Sequence, residues 1–109
     1  RKRLKTDLEF KLRYTLRNRI RRALKNQFST KASKTINLLG CSIEECRKYL
    51  ESKFQDGMSW DNYGEWEIDH IIPCDSFDLT KEEEQKRCFH FSNLQPLWWR
   101  DNRTKGNKV

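Results

Sequence analysis

No stretch of this 109-residue sequence approaches the ~20 consecutive apolar residues that a membrane-spanning helix needs. Its basic start also lacks the apolar region of a secretory signal peptide. The expectation is a soluble, intracellular (cytoplasmic) protein with no membrane partner. Apolar residues make up only 35% of the chain, so it amounts to one domain with a thin core. No internal repeat or low-complexity segment is evident, which removes solenoids and biased linkers from consideration. Cysteine is confined to positions 41, 46, 74 and 88, and without a sign of secretion a disulfide framework is not expected. Aromatic bulk partly compensates for the thin core: four Trp, three Tyr and six Phe can bury much area in a small volume.

Charge is unevenly spread. Residues 1–34 carry 13 Lys or Arg against Asp7 and Glu9, a net +11; residues 35–98 are net −7, and residues 99–109 net +3. A polyanion such as nucleic acid is drawn to the two basic ends, where Lys and Arg neutralise phosphates and release counterions. A solvated helix face is the plainer reading of a basic run alone.

Within the basic start, apolar residues recur every fourth position at Leu4, Leu8, Leu12, Leu16, Ile20, Leu24 and Phe28, which is a helix signal. A strict four-residue step drifts about 40° per step, so the row winds around the helix. One end is expected to pack on the domain while the other faces elsewhere. Arg13, Arg17, Arg21 and Lys25 form a parallel row suited to lying along a phosphate backbone. Residues 28–35 read as a polar linker, so the chain divides into a basic helix and linker (1–34) and a second unit (35–109) that packs with it as one compact domain. Ser42 and Glu45 have capping-box spacing before a helix that places Ile43, Cys46, Leu50 and Phe54 on one face. A strand follows at 66–72, stopped by Pro73. Thr80 and Glu83 signal another helix, a short strand fits around Leu94 to Leu97, and residues 99–108 suggest a terminal helix.

Asp69 and His70 stand in the middle of an apolar run, where ionisable groups must be paired, solvated or ligated. Zinc is the disfavoured ligand. Cys41 and Cys46 have only loose zinc spacing, and Cys74 and Cys88 form no knuckle; a mixed site of His70, Cys74, Cys88 and His90 is the one zinc set conceivable on paper. His90 otherwise reads as a packing or hydrogen-bonding residue, and Trp66, Trp98 and Trp99 as core or helix-packing residues.

Three spaced blocks, IDHIIP, SNLQPL and RDNRTKGNK, resemble the HNH endonucleases, the ββα-metal nucleases in which a hairpin and a following helix grip one divalent ion. The resemblance covers residues 66–108. With SKFQDGMSWDNYG and CFHFSNLQPLW, it extends to free-standing members of phages, bacteria and large viruses. It implies Asp69 and Asn102 as metal ligands, His70 as general base and Asn93 as the residue that holds the hairpin. Some members have a third ligand, a His, one helical turn after the Asn102 position; here Gly106 stands there, so two protein ligands are expected.

Each role has a physical sense. A free imidazole has a pKa of about 6.5 and is substantially neutral at pH 7, able to take a proton from water. Oxygen donors at Asp69 and Asn102 favour Mg²⁺ or Mn²⁺. Lys105, three residues after Asn102, shares its helix face and can reach a phosphate or stabilise the transition state; Arg103, about 100° around the helix, is a weaker candidate, and Arg103 and Lys108 are expected among the DNA contacts. Adjacent strand residues point to opposite faces, so for Asp69 and His70 to serve one site the strand is expected to end or kink there.

The fold expected is therefore α+β: a ββα-metal hairpin and helix, with one inserted helix and two helices in front. The activity implied is hydrolysis of DNA phosphodiesters. A nucleic-acid-binding module with an inactive hairpin is the alternative from another class. The chain opens with Arg1 rather than Met, and a third reading makes it the cutting domain of a larger, for example RNA-guided, effector. Double-strand cutting from one site needs a homodimer or two successive nicks, and both stay open.

Overall fold

The computed structural model describes residues 2–105, with side chains from Asp7 onward. Its architecture is α+β. Strands β1 (Trp66–His70) and β2 (Leu94–Trp98) pair antiparallel in a register running from Trp66 opposite Trp98 to His70 opposite Leu94. Just beyond the two ends of the ladder, Ile71 N donates to Asn93 O and Trp99 N to Glu65 O. Bonded and non-bonded pairs alternate in such a ladder, so Asp69 and Gln95 form a bonded pair while Ile68 and Pro96 form a non-bonded one. That register lets Pro96 sit inside a strand, because no ladder bond is asked of its missing N–H.

The strand stays regular through His70, and the chain leaves the ladder after Ile71. Of the two expectations for Asp69–His70, an end or a kink, the strand shows the first: it ends at His70 without a kink before it, short of the Ile72 read from the sequence. Trp66 and Ile68 are fully buried on one face, while Glu67 and Asp69 point to the other.

Helix α1 (Lys2–Asn26) covers the face of Trp66 and Ile68. Its winding apolar row explains how one helix serves two clusters. Leu12 and Leu16 pack with Trp66, Ile68 and Leu94, whereas Ile20 and Leu24, further round the helix, pack with Leu38, Phe77, Leu79 and Phe89. All four are at most 4% exposed, so the middle of the row is packed throughout; of its two ends, the Leu4 side chain lies outside those described. The row breaks at Phe28, which is 97% exposed and left-handed at φ 55° just past the helix, where Ser29 N bonds back to Leu24 O. Arg47, buried, pairs with Glu9 of α1 (3.0 Å) and with Glu51 four residues on in its own helix (2.8 Å).

Three helices precede β1 rather than two. The unexpected one, α2 (Thr35–Leu39), is a short element closed by Gly40 at φ 75°; it forms because Leu38 and Leu39 are almost wholly buried, worth roughly 1.5–3 kcal/mol each. Helix α3 (Ile43–Ser52) starts at Ser42 with both bonds of the capping box. The polar linker before α2 is held by Gln85, whose amide donates to Thr30 O and accepts from Ala32 N. Helix α4 (Glu82–Phe89), inserted between the strands, begins at Lys81 instead of Thr80. Asp78 takes both the N–H and the hydroxyl of Thr80, which removes Thr80 from the capping role. Helix α5 (Trp99–Lys105) follows β2 directly and folds back on β1. Among the described residues no helix is long and apolar enough to cross a membrane.

The left-handed conformation at position 28 favours glycine, and the exposed Phe28 ring has little packing to lose. Phe28→Gly should stabilise the protein by about 1 kcal/mol, read as a higher midpoint in urea denaturation at unchanged slope.

Candidate functional site

Asn93 is buried at the junction of three segments. Its Oδ1 accepts from Ile72 N (2.9 Å), and its Nδ2 donates to Ile72 O (3.1 Å) and Cys88 O (2.9 Å). The side chain thus joins the loop after β1, the last turn of α4 and the start of β2. Every one of these partners is backbone, so the Asn93 side chain acts as a brace between these segments.

Asp69 points toward α5. Its Oδ2 accepts from Gln95 Nε2 (2.9 Å), its cross-strand partner, and lies 3.4 Å from Lys105 Nζ, which also donates to His70 O (3.0 Å). Among the described residues Asn102 makes no hydrogen bond to Asp69. Its Nδ2 donates to Glu67 Oε1 (3.0 Å), one pleat back along the same face. The reason is geometric: three helical residues advance about 4.5 Å while two strand residues advance about 6.6 Å, so Lys105 comes to rest over Asp69 and Asn102 over Glu67. Glu67, Asp69 and the Asn102 amide thus form a strip of oxygen donors along one face, with the Lys105 ammonium at one end. Carboxylate and amide oxygens suit a hard cation in kind.

His70 is on the opposite side. Its ring meets Phe89 edge to face at 5.8 Å, and together with Arg19, Arg22, Asn26, Gln27, Cys74 and Asp75 it lines a cleft of about 260 Å³. The ligand atoms of His70, Cys74 and Cys88 lie within 4.8 Å of one another, a group able to hold a metal ion. Cys74 comes from a 3₁₀ turn after Pro73 and Cys88 from α4. The two thiols are not disulfide-bonded, and Cys88 Sγ donates to Cys74 Sγ at 3.1 Å. That bond, followed by His70 and the charge of Arg19, lowers the Cys74 pKa against the effect of burial; the same bond, with burial, raises that of Cys88. Of the four residues of the conceivable mixed site, His90 alone is elsewhere. Its Nδ1 accepts from Ser92 N, and its ring lies against Phe91 and Gly40, where any Cβ would come within 2.8 Å. Among the described residues, three of the four members of that mixed set do come together, a cluster of nitrogen and sulfur donors that could hold a metal ion and whose chemistry suits zinc better than Mg²⁺.

Two proteins of Acanthamoeba polyphaga mimivirus are similar to this chain. One is 42% identical over 106 residues, covering 95% of this chain and 45% of the relative; the other is 47% identical over 96 residues, covering 87% and 41%. Both are named as uncharacterized proteins, and the chain spans less than half the length of each. No family model and no solved structure matches.

Arg13, Arg17, Arg21 and Lys25 are all exposed along α1. Burial, followed by the charges of Arg21 and Arg17, lowers the pKa of Lys31, whose Nζ donates to Thr35 Oγ1 (2.7 Å). Arg103 is exposed but stacks over the Trp99 ring at 4.7 Å, and Trp99 is itself 45% exposed instead of packed inside. Lys108 and Gly106 lie outside the described residues. Sequence reasoning missed Arg19 and Arg22 beside His70, and Glu67 and Gln95 beside Asp69. Glu67 was within reach, two residues before Asp69 on a strand; the others depend on packing and register.

Asn93→Ala leaves one N–H and two carbonyls without their partner and should cost about 3 kcal/mol in urea denaturation. Thiol reactivity should follow the shifts in pKa. In native protein at pH 7, mass-mapped alkylation should mark Cys74, at the cleft, ahead of buried Cys46, whose pKa burial pushes up to about 12.

Proposed function

We propose that the chain is a divalent-metal-dependent DNA endonuclease of the HNH type, with Asp69 and His70 at the end of β1 as its centre. The observation that carries this reading is the back-to-back stance of those side chains, with Lys105 beside one and Arg19 and Arg22 beside the other. Displacement at phosphorus runs in line, with the attacking and leaving oxygens on opposite sides. A phosphodiester laid across the strand end meets an imidazole from one side and a carboxylate from the other.

His70 acts as general base, accepting the proton of the attacking water. Asp69 and Asn102, with Glu67 between them, would hold Mg²⁺ or Mn²⁺; when bound, such an ion supplies positive charge to the phosphate and the departing 3′ oxygen. The long, flexible Lys105 stem lets its ammonium turn from Asp69 to a phosphate oxygen. Asn93 keeps the loop after His70 in place. Arg19, whose Nε is buried without a hydrogen-bond partner among the described residues, faces the same cleft as His70. Arg13, Arg17, Arg21 and Lys25 bind backbone phosphates, which positions the duplex without specifying its sequence. The order strand, inserted helix, strand and helix, with α5 packed on β1, supports the ββα-metal reading. By the resemblance, the products are 5′-phosphate and 3′-hydroxyl ends.

The competing reading, a DNA-binding module without chemistry, draws on the Lys105–Asp69 ion pair, in which the ammonium already neutralises the carboxylate. Supercoiled plasmid with Mg²⁺ or Mn²⁺ separates the two. The nuclease reading expects nicking that a chelator abolishes and that His70→Ala and Asp69→Asn each lower at least ~100-fold. Salt-sensitive binding with no chelator-sensitive nicking hands the function to the binding module.

A further inference from the structure

We propose that His70, Cys74 and Cys88 form a zinc site, and that zinc bound there switches off the nuclease by occupying the imidazole of His70. The second half rests on the function proposed above; the first does not. Three donors of zinc type, from the end of β1, the turn after Pro73 and the last turn of α4, have ligand atoms within 4.8 Å of one another. A tetrahedral ion with Zn–S near ~2.3 Å and Zn–N near ~2.0 Å wants its donors roughly 3.5–3.8 Å apart. The sulfurs, at 3.1 Å, open by about 0.7 Å, and the His70 nitrogen, within 4.8 Å of both, closes by at most about 1.3 Å.

The frame for these donors is already rigid. Asn93 Nδ2 binds the carbonyls of both Cys88 and Ile72, so the segments carrying the two thiols are stapled together before any ion arrives. Cys88 is fully buried, while Cys74 and His70 open on the cleft, which admits an ion and leaves room for water as fourth ligand. Two thiolates and a neutral imidazole on Zn²⁺ make a neutral centre, suited to the cationic wall of Arg19 and Arg22. Two sulfur–hydrogen bonds break, two zinc–sulfur bonds form, and the protons go to solvent. The donor set selects against Mg²⁺, whose preference is for oxygen. The two metal chemistries then lie on opposite sides of one strand, and an imidazole ligated on one side takes no proton from water.

The test titrates reduced, metal-free protein with Zn²⁺ against a chromophoric chelator, and in parallel with Co²⁺ to read thiolate-to-cobalt absorption. One equivalent should bind, with affinity at least tenfold weaker in Cys74→Ser, which lies partly exposed, and in His70→Ala, and unchanged in Cys41→Ser. Absence of stoichiometric binding, a cobalt spectrum without thiolate bands, or undiminished affinity in Cys74→Ser overturns the site. In the plasmid assay with Mg²⁺, each protein measured against its own zinc-free rate, one equivalent of Zn²⁺ should suppress nicking at least tenfold in the parent protein and less than twofold in Cys74→Ser; nicking by zinc-loaded parent protein, or equal suppression in Cys74→Ser, overturns the switch. Failure of the nuclease reading would show instead as no nicking by zinc-free protein, with the binding isotherm still deciding the metal site.

Discussion

A single buried amide, Asn93, holds together the parts of this protein that carry its ionisable groups. Its oxygen accepts one backbone N–H and its nitrogen donates to two carbonyls, so the loop after β1, the end of α4 and the start of β2 cannot move independently. Only a side chain that both accepts and donates can do this; an aspartate lacks the donors and a leucine lacks both. Paired polar atoms in a buried setting also rigidify their surroundings, because each would be costly to leave unsatisfied. The segments that carry Cys74 and Cys88 are tied to one another by that one junction.

The second constraint is the alternation of β1. One face meets the helices that bury Trp66 and Ile68, and the other meets α5 across Glu67 and Asp69. A strand separates what its sequence places side by side. Oxygen donors and Lys105 gather on one side; nitrogen and sulfur donors with two arginines gather on the other. The winding apolar row of α1 makes this possible, since its later turns rotate toward the second cluster, where Cys88 and Phe89 lie, and carry Arg19 and Arg22 to the cleft.

Much of the framework could be read from local chemistry. The capping box at Ser42 and Glu45, the four-residue row in α1 and the alternation in β1 each need only a few neighbouring residues. The failures share a cause. Thr80 loses its capping role to Asp78, a neighbour that competes for the same hydroxyl, and α2 exists because tertiary burial of Leu38 and Leu39 outweighs its shortness. Trp99 looked like core but stays half-exposed under Arg103, because α5 spends its inward face on Glu67 and Asp69.

Residue types and their spacing in the chain settled the α+β class, the basic character of α1 and the presence of an acid–imidazole pair at the end of a strand. Those depend on periodicity and charge, which are local or additive. Which donor faces which was left to packing: Asn102 over Glu67, Lys105 over Asp69, and Cys74 beside Cys88 fourteen residues later. The helix and the strand advance by different amounts per residue, and no reading along one dimension can say where the two rulers coincide.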